Sequence, residues 1–226
     1  MASRVIAIDG PAGSGKSTTA KAVAARLDLA HIDSGSLYRA VTLAGLDAGV
    51  PLEGDLLVEV AVAKRVELRE VEDGLRPIVA GVDVSKEIRS ARVTEHVSAV
   101  SALPAVRTWV TDALRRAVAR HPRGAVADGR DIGTVVFPDA VLKIFLTAAI
   151  GERARRRALE EGSELAPEGL QRLAGDMERR DTMDSTRAIS PLKEAADAVR
   201  IDTTNLTFDE QVEAVVERAK PYFSAA

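Results

Sequence analysis

The sequence predicts an α/β fold in three layers, with a mainly parallel five-stranded central sheet, an inserted lobe holding a small antiparallel sheet, and a short helical lid. Three observations carry this. About five short apolar runs alternate with helical segments, the pattern of a parallel sheet covered by helices. Between 66 and 84 that order is interrupted by a run in which apolar and polar residues alternate around a turn signal. The span 151–187 is helical in pattern, rich in arginine, and broken near Gly162 to Pro167. At 226 residues the chain suits one core with a small inserted lobe. We place the core at about 1–60 and 98–226, the insert at about 61–97 and the lid at about 151–187.

The elements follow in order. Arg4-Val5-Ile6-Ala7-Ile8-Asp9 is a β-rich run ending in a glycine-rich turn, and a helix is expected from Lys16 to Leu27. A short apolar run then ends at Asp33. Ser34 can cap the next helix, which carries Leu37, Tyr38, Val41 and Leu46 at helical spacing. A helix over 55–64 leads to Val66-Glu67-Leu68-Arg69-Glu70-Val71, where apolar and polar residues alternate. Glu72-Asp73-Gly74 signals a turn, and a second extended run reaches Val84, so a β-hairpin is expected. Helices over 86–102 and 105–120 are separated by Pro104. Gly124-Ala125-Val126-Ala127-Asp128 and Val141-Leu142-Lys143-Ile144-Phe145-Leu146 read as buried strands. Ala198 to Asp202 is a last strand, and 207–220 a closing amphipathic helix.

Composition narrows the function. Hydrophobic residues are 46% and charged residues 29%, the balance of a globular enzyme. Aromatic residues are only 3%, so the core must be built from Ala, Val, Leu and Ile, and a surface that stacks single-stranded bases is not expected. The net charge of −3 argues against nucleic-acid or anionic-membrane partners. Any anion site must therefore be made locally, from clustered arginines or backbone N–H groups. Without cysteine there is no disulfide framework and no thiolate metal site. The start runs directly into a strand pattern with no signal peptide, and no apolar run reaches the length of a membrane span, so a cytoplasmic protein is expected. The lack of a heptad or a long apolar stripe points to a monomer. His31, His96 and His121 have no metal-ligand spacing, and Tyr38 and Trp109 are expected to pack rather than stack on a base.

Gly10-Pro11-Ala12-Gly13-Ser14-Gly15-Lys16-Ser17 fits G-x-x-x-x-G-K-[ST] in full, between a strand and a helix as that phosphate-binding loop requires. Its glycines let backbone N–H groups turn toward phosphate oxygens, and the helix N-terminus adds partial positive charge. Lys16 can reach the β- and γ-phosphates of ATP, and the Ser17 hydroxyl can ligate Mg²⁺. Thr18 closes the ATP-binding run from Gly10. The motif alone leaves kinase, ATPase and GTPase open. No Asn-Lys-x-Asp run that would read guanine follows it.

Three further clusters follow predicted strands or end the arginine-rich helix: Asp33-Ser34-Gly35-Ser36-Leu37-Tyr38-Arg39, Asp128-Gly129-Arg130-Asp131, and Arg180-Asp181 with Asp184 and Arg187. In an open parallel sheet, ligands sit at the carboxyl ends of strands, so the first two belong beside the phosphate loop. Each also has a plainer meaning. Asp33-Ser34 could be only a cap, Asp128-Gly129 only a turn, and Arg153, Arg155, Arg156 and Arg157 only a solvated face balanced by Glu160 and Glu161.

Together these residues resemble the bacterial cytidylate kinases, within the nucleoside monophosphate kinases, essentially end to end. The most specific pieces are Ile8-Asp9-Gly10-Pro11, Asp33-Ser34-Gly35 through Tyr38-Arg39, and Asp128-Gly129-Arg130-Asp131-Ile132-Gly133-Thr134-Val135-Val136-Phe137-Pro138. Arg180-Asp181 with Asp184 and Arg187, then Pro191-Leu192, completes them. The insert also resembles the CMP-binding lobe of those enzymes. The resemblance implies ATP-dependent phosphorylation of CMP and dCMP, with Mg²⁺ and no partner beyond small nucleotides. It implies that Ser34, Arg39 and Arg130 hold the CMP phosphate, and that Ser98, Arg107 and Asp131 read the cytosine. Arg180 and Asp184 would hold the pentose, and Arg187 would reach toward the phosphates. Arg153 and Arg157, from the lid, would clamp ATP and the transferring group. Lys16, Arg130, Asp128, Arg153 and Arg157 are thus the expected catalytic set. Asp128 would hold a Mg²⁺-bound water, hydrogen-bond to Ser17, or both. The rivals are a kinase of the same fold acting on UMP, dTMP, AMP or shikimate, and a regulatory nucleotide switch.

Overall fold

Apolar on both faces, β1 (Ser3–Asp9) can be satisfied only in the middle of a covered sheet, and Val5, Ile6, Ala7 and Ile8 have no exposed surface. It pairs in parallel with β6 (Ala125–Gly129) on one side and β7 (Ala140–Thr147) on the other. β8 (Val199–Asp202) extends the sheet in parallel beyond β7. The computed structural model describes residues 3–71, 74–160, 162 and 166–223. It contains a five-stranded sheet, in the order β2-β6-β1-β7-β8 with β2 at Ala30–Asp33, and a three-stranded sheet.

The chain forms two compact units, Met1–Leu29 with Arg123–Ala226, and Ala30–Pro122. In the first, α1 (Lys16–Leu27) and α8 (Phe208–Phe223) share one core with the strands. Ala20, Val23 and Ala24 of α1 and Val212, Val215 and Ala219 of α8 close over Ile6, Ile8 and Ile144. Small and β-branched side chains let the helices approach closely, as the aromatic-poor composition requires. α6 (Ile150–Glu160) and α7 (Pro167–Thr186) pack against each other and carry the arginine cluster of the lid.

In the second unit, α2 (Ser34–Ala48) is buried nearly all round and packs on α3 (Gly54–Ala63) and α4 (Ala91–Val100). α5 (Pro104–Ala119) begins with proline at its first turn, where a missing N–H costs nothing. The small sheet is antiparallel: β3 (Glu67–Val71), β4 (Gly74–Val79) and β5 (Val82–Asp83).

Three local expectations change, and one segment gains an element. Asp33, not Ser34, caps α2: it alone has the extended backbone a cap needs, and its carboxylate accepts from Ser36 N at 3.2 Å. The extended run to Val84 divides into β4 and β5, because Ala80 and Gly81 take φ of 51° and 85°, the paired left-handed geometry of a tight hairpin. The expected helix over 86–102 is a 3₁₀ turn, Glu87–Arg89, then α4, separated by extended Ser90. Ile132–Val136, to which the sequence pattern assigns no element, forms one turn of π-helix. Met1, Ala2, the turn residues Glu72 and Asp73, and within the lid break Glu161, Ser163, Glu164 and Leu165, lie outside the described residues. Among the described residues no helix is long and apolar enough to cross a membrane.

Candidate active site

The phosphate loop runs from Gly10 at the end of β1 into the first turn of α1. Gly13 and Gly15 have φ of 69° and 83°, a left-handed backbone that side chains resist and that anion-binding turns of backbone N–H groups use. Lys16 is buried, and its Nζ donates to the Pro11 carbonyl at 3.1 Å, which folds it back along the loop. Ser14 Oγ is buried with no hydrogen-bond partner among the described residues, a polar atom suited to a phosphate oxygen. Thr18 Oγ1 and Thr19 Oγ1 both donate to the Gly15 carbonyl. Gln211, on α8, also donates to that carbonyl and to Thr19, tying the closing helix to the loop.

Ser17 Oγ donates to Asp128 Oδ2 at 2.5 Å, so the alternative open for Asp128 is realised as a direct bond. A hydroxyl and a carboxylate set together here fit Mg²⁺. Among the described residues no group of three His, Cys, Asp or Glu could hold a metal. The donor set therefore suits a hard cation that brings phosphate oxygens and waters of its own.

A second cluster lies in the same unit. Arg130 Nε donates to Asp184 Oδ2 at 2.9 Å, with Asp184 buried. Arg187 stands 3.9 Å from Asp184 and 3.7 Å from Asp131. Burial, and next the charge of Arg130, draw the Arg180 guanidinium down to about 10, while Asp184 opposes the shift. Arg180 Nε is buried without a hydrogen-bond partner among the described residues. Arg157 also faces Arg180 electrostatically and pairs with Glu160 at 3.6 Å. Several cations around two carboxylates, one with an unmatched donor, form a site that an anion would complete. α7 links this cluster to the loop: its Asp181 accepts from Ala12 N at 3.0 Å, while its neighbours Arg180 and Asp184 face Arg130.

Arg153, grouped with the lid arginines, is buried. It donates to the carbonyls of Ala148 and Ala12 and to Asp181. Arg156 instead pairs with Glu152 and bonds Thr203. In the second unit, Ser34 is the first residue of α2 and is buried. Arg39 donates to the Ile88 carbonyl and to Thr94 Oγ1, both at 2.9 Å. The Arg107 guanidinium lies 5.3 Å from the Tyr38 ring centroid, so that ring packs as expected, and Arg107 also donates to the Ser101 carbonyl at 2.9 Å. Ser98 is half-buried on α4.

Three more residues belong to the site: Asp9 and Asp181, which the sequence motifs contain without a role, and Gln211, which no motif contains. Asp9 accepts from Ile132 N and Gly133 N, both at 2.8 Å, and so anchors the π-turn that follows Asp131. Burial pushes its carboxyl up to about 7, against the pull of those two amides; Asp131's negative charge adds to the rise. An acid closing a buried strand is a legible signal for it. Asp181 stands in the cluster with Arg180, but its partners Ala12 and Arg153 lie far along the chain, and nothing local marks Gln211.

The family model for cytidylate kinase matches residues 6–221. The chain is 44% identical over 218 residues to the cytidylate kinase of Shouchella clausii, covering 96% of each. It is 47% identical over 204 residues to that of Mycobacterium avium, covering 90% of this chain and 89% of the relative. Its fold is similar to the crystal structure of a Thermus thermophilus protein, with a TM-score of 0.50 at 16% identity and full coverage of both chains. That likeness concerns the fold alone.

Proposed function

This chain belongs to the cytidylate kinase family, and from that premise we propose how its residues divide the work of phosphorylating CMP with ATP. The reaction moves the γ-phosphoryl group of ATP to a phosphate oxygen of CMP, giving ADP and CDP. That attacking oxygen is anionic near neutral pH, so alignment, charge neutralisation and exclusion of water matter more than a strong base.

One observation supports this division of roles above the others. A single helix, α7, sets Asp181 on the phosphate loop and Arg180 and Asp184 at the Arg130 cluster. Residues 10–18 bind ATP, with Lys16 on the β- and γ-phosphates. Ser17 and Asp128, the latter through a water, would hold Mg²⁺, which would supply neutralisation of phosphate charge. Arg153 and Arg157 serve the ATP side and the transferring group. Arg130, with Ser34 and Arg39, receives the CMP phosphate. Arg180 and Asp184 take the pentose, which would admit dCMP, and Arg187 the phosphates. Asp131, Ser98 and Arg107 read the cytosine. Uncompensated buried polar groups make a wrong base costly. We place the activity in cytoplasmic pyrimidine nucleotide metabolism, with no nucleic-acid or membrane partner and a monomeric enzyme; the net charge of −3 supports the first exclusion.

ATP consumption measured with CMP, dCMP, UMP and AMP in turn tests the assignment. CMP and dCMP are expected to be turned over fastest, and faster turnover of UMP or AMP would refute it. Lys16→Ala is expected to lower kcat by about 10²–10³-fold, the cost of removing one charge-stabilising donor. Near-normal turnover would remove Lys16 from the reaction. Asp131→Ala is expected to reduce the preference for CMP over UMP by at least about tenfold in kcat/KM. An unchanged ratio would move base reading elsewhere.

A further inference from the structure

We propose that Asp181 is a positioning residue that sets the phosphate loop and Arg153 together, through one carboxylate. The proposal rests on the ATP-binding role of the loop given above. The two oxygens of Asp181 have separate partners. Oδ1 accepts the Ala12 N–H at 3.0 Å, and Oδ2 accepts from Arg153 Nη1 at 2.5 Å. The same Arg153 nitrogen donates to the Ala12 carbonyl at 2.9 Å, and Arg153 Nε donates to the Ala148 carbonyl at 3.1 Å. Both backbone polar groups of one loop residue are therefore held by one ion pair.

The pair is sheltered, with side-chain exposures of 10% for Arg153 and 16% for Asp181, so salt screens it weakly and loss of either partner strands the other. The fit around the loop is close. A Cβ on Gly13 would lie 2.6 Å from Met177 Cε on α7 and 2.9 Å from the Arg153 carbonyl on α6, so both helices press on the loop next to Ala12. A phosphate loop works by backbone amides aimed in advance at the charge they receive, and a small misplacement costs rate steeply. Asp181 fixes the plane of the Ala12 amide directly and holds the guanidinium of Arg153 in a single orientation. It acts through these two neighbours.

Two variants separate its two partners. Asp181→Ala removes both bonds. Asp181→Asn keeps an oxygen for the Ala12 N–H and loses the charge that faces Arg153. The parent, both variants and Arg179→Ala, an exposed control on the same helix, are compared for kcat, for KM of ATP and of CMP, and for calorimetric affinity of a non-hydrolysable ATP analogue. Asp181→Ala is expected to raise the KM for ATP about tenfold and weaken the analogue to match, to lower kcat by about tenfold or more, and to leave the KM for CMP within about threefold. Asp181→Asn is expected to keep the KM for ATP within about threefold while kcat still falls about tenfold. A merely structural role would lower melting temperature and active fraction without separating ATP from CMP, and that pattern would overturn the proposal. So would ATP parameters of Asp181→Ala within about twofold of the parent. If Asp181→Ala does not fold, Asp181→Asn decides alone, and an unchanged kcat there sinks the idea. A parent that ignores CMP refutes the functional reading instead, and the analogue affinity still decides the role of Asp181.

Discussion

Asp9 holds two backbone amides of the π-turn with both of its oxygens, yet burial lifts its carboxyl to about 7. An aspartate in the unfolded chain titrates near 3.9. Between about pH 4 and 7 the folded protein therefore keeps a proton that the unfolded chain has released. The sign follows: this contribution to stability is complete below about pH 4 and declines as pH rises through about 7, by at most about 1.4 kcal/mol per pH unit. The exposed carboxylates pull the other way only in more acidic solution; Asp83, held mainly by hydrogen bonds from Ser85, is lowered to about 2. Asp9→Asn is expected to flatten the slope between about pH 4 and 7 in urea unfolding. A slope that survives the substitution would assign the proton to another group. The sequence marks Asp9 by its place at the end of an apolar strand, but not its partners, which are 123 and 124 residues away.

At the scale of elements, agreement between pattern and structure depends on how local the cause is. α1, α5 and β6 lie within a residue or two of their expected spans because side-chain periodicity and end signals sit inside the segment. The hairpin turn at Ala80-Gly81 was hidden because alanine stands where asparagine or glycine usually announces the geometry. Ile132–Val136 has the composition of a strand, and its winding follows from the Asp9 carboxylate capturing two amides. Glycine positions give an element-scale test. At Gly124, φ is 118° and a Cβ would lie 2.4 Å from the Arg4 carbonyl, where β1 and β6 begin side by side. Gly124→Ala is expected to destabilise the protein by about 2 kcal/mol or more. Gly81→Asn, with a φ of 85° and open space around it, is expected to stay within about 1 kcal/mol of the parent. Equal denaturation midpoints for these two variants would contradict the close approach at Gly124.

For the whole molecule, ligand binding and stability are linked. A non-hydrolysable ATP analogue at roughly 100 times its Kd is expected to add about 2.7 kcal/mol, which raises the melting temperature of a chain this size by about 5–10 °C. Lys16→Ala is expected to lose most of that increment at the same analogue concentration. An undiminished shift, followed by thermal unfolding, would mean that the analogue binds elsewhere. The five-stranded parallel sheet with a separate antiparallel sheet was legible at this scale, because alternation of apolar runs and helices constrains topology strongly.

The order of strands and helices, the phosphate loop and the composition of the acidic and basic clusters belonged to the sequence alone, since each is written in a stretch of a few to a few dozen residues. Tertiary structure decided which of those residues meet. Asp181 reaches Ala12 across 169 residues, Ser17 reaches Asp128 across 111, and Gln211 reaches Gly15 across 196. A buried polar atom takes whatever partner packing brings within about 3 Å, and packing is a property of the assembled core that no single segment contains.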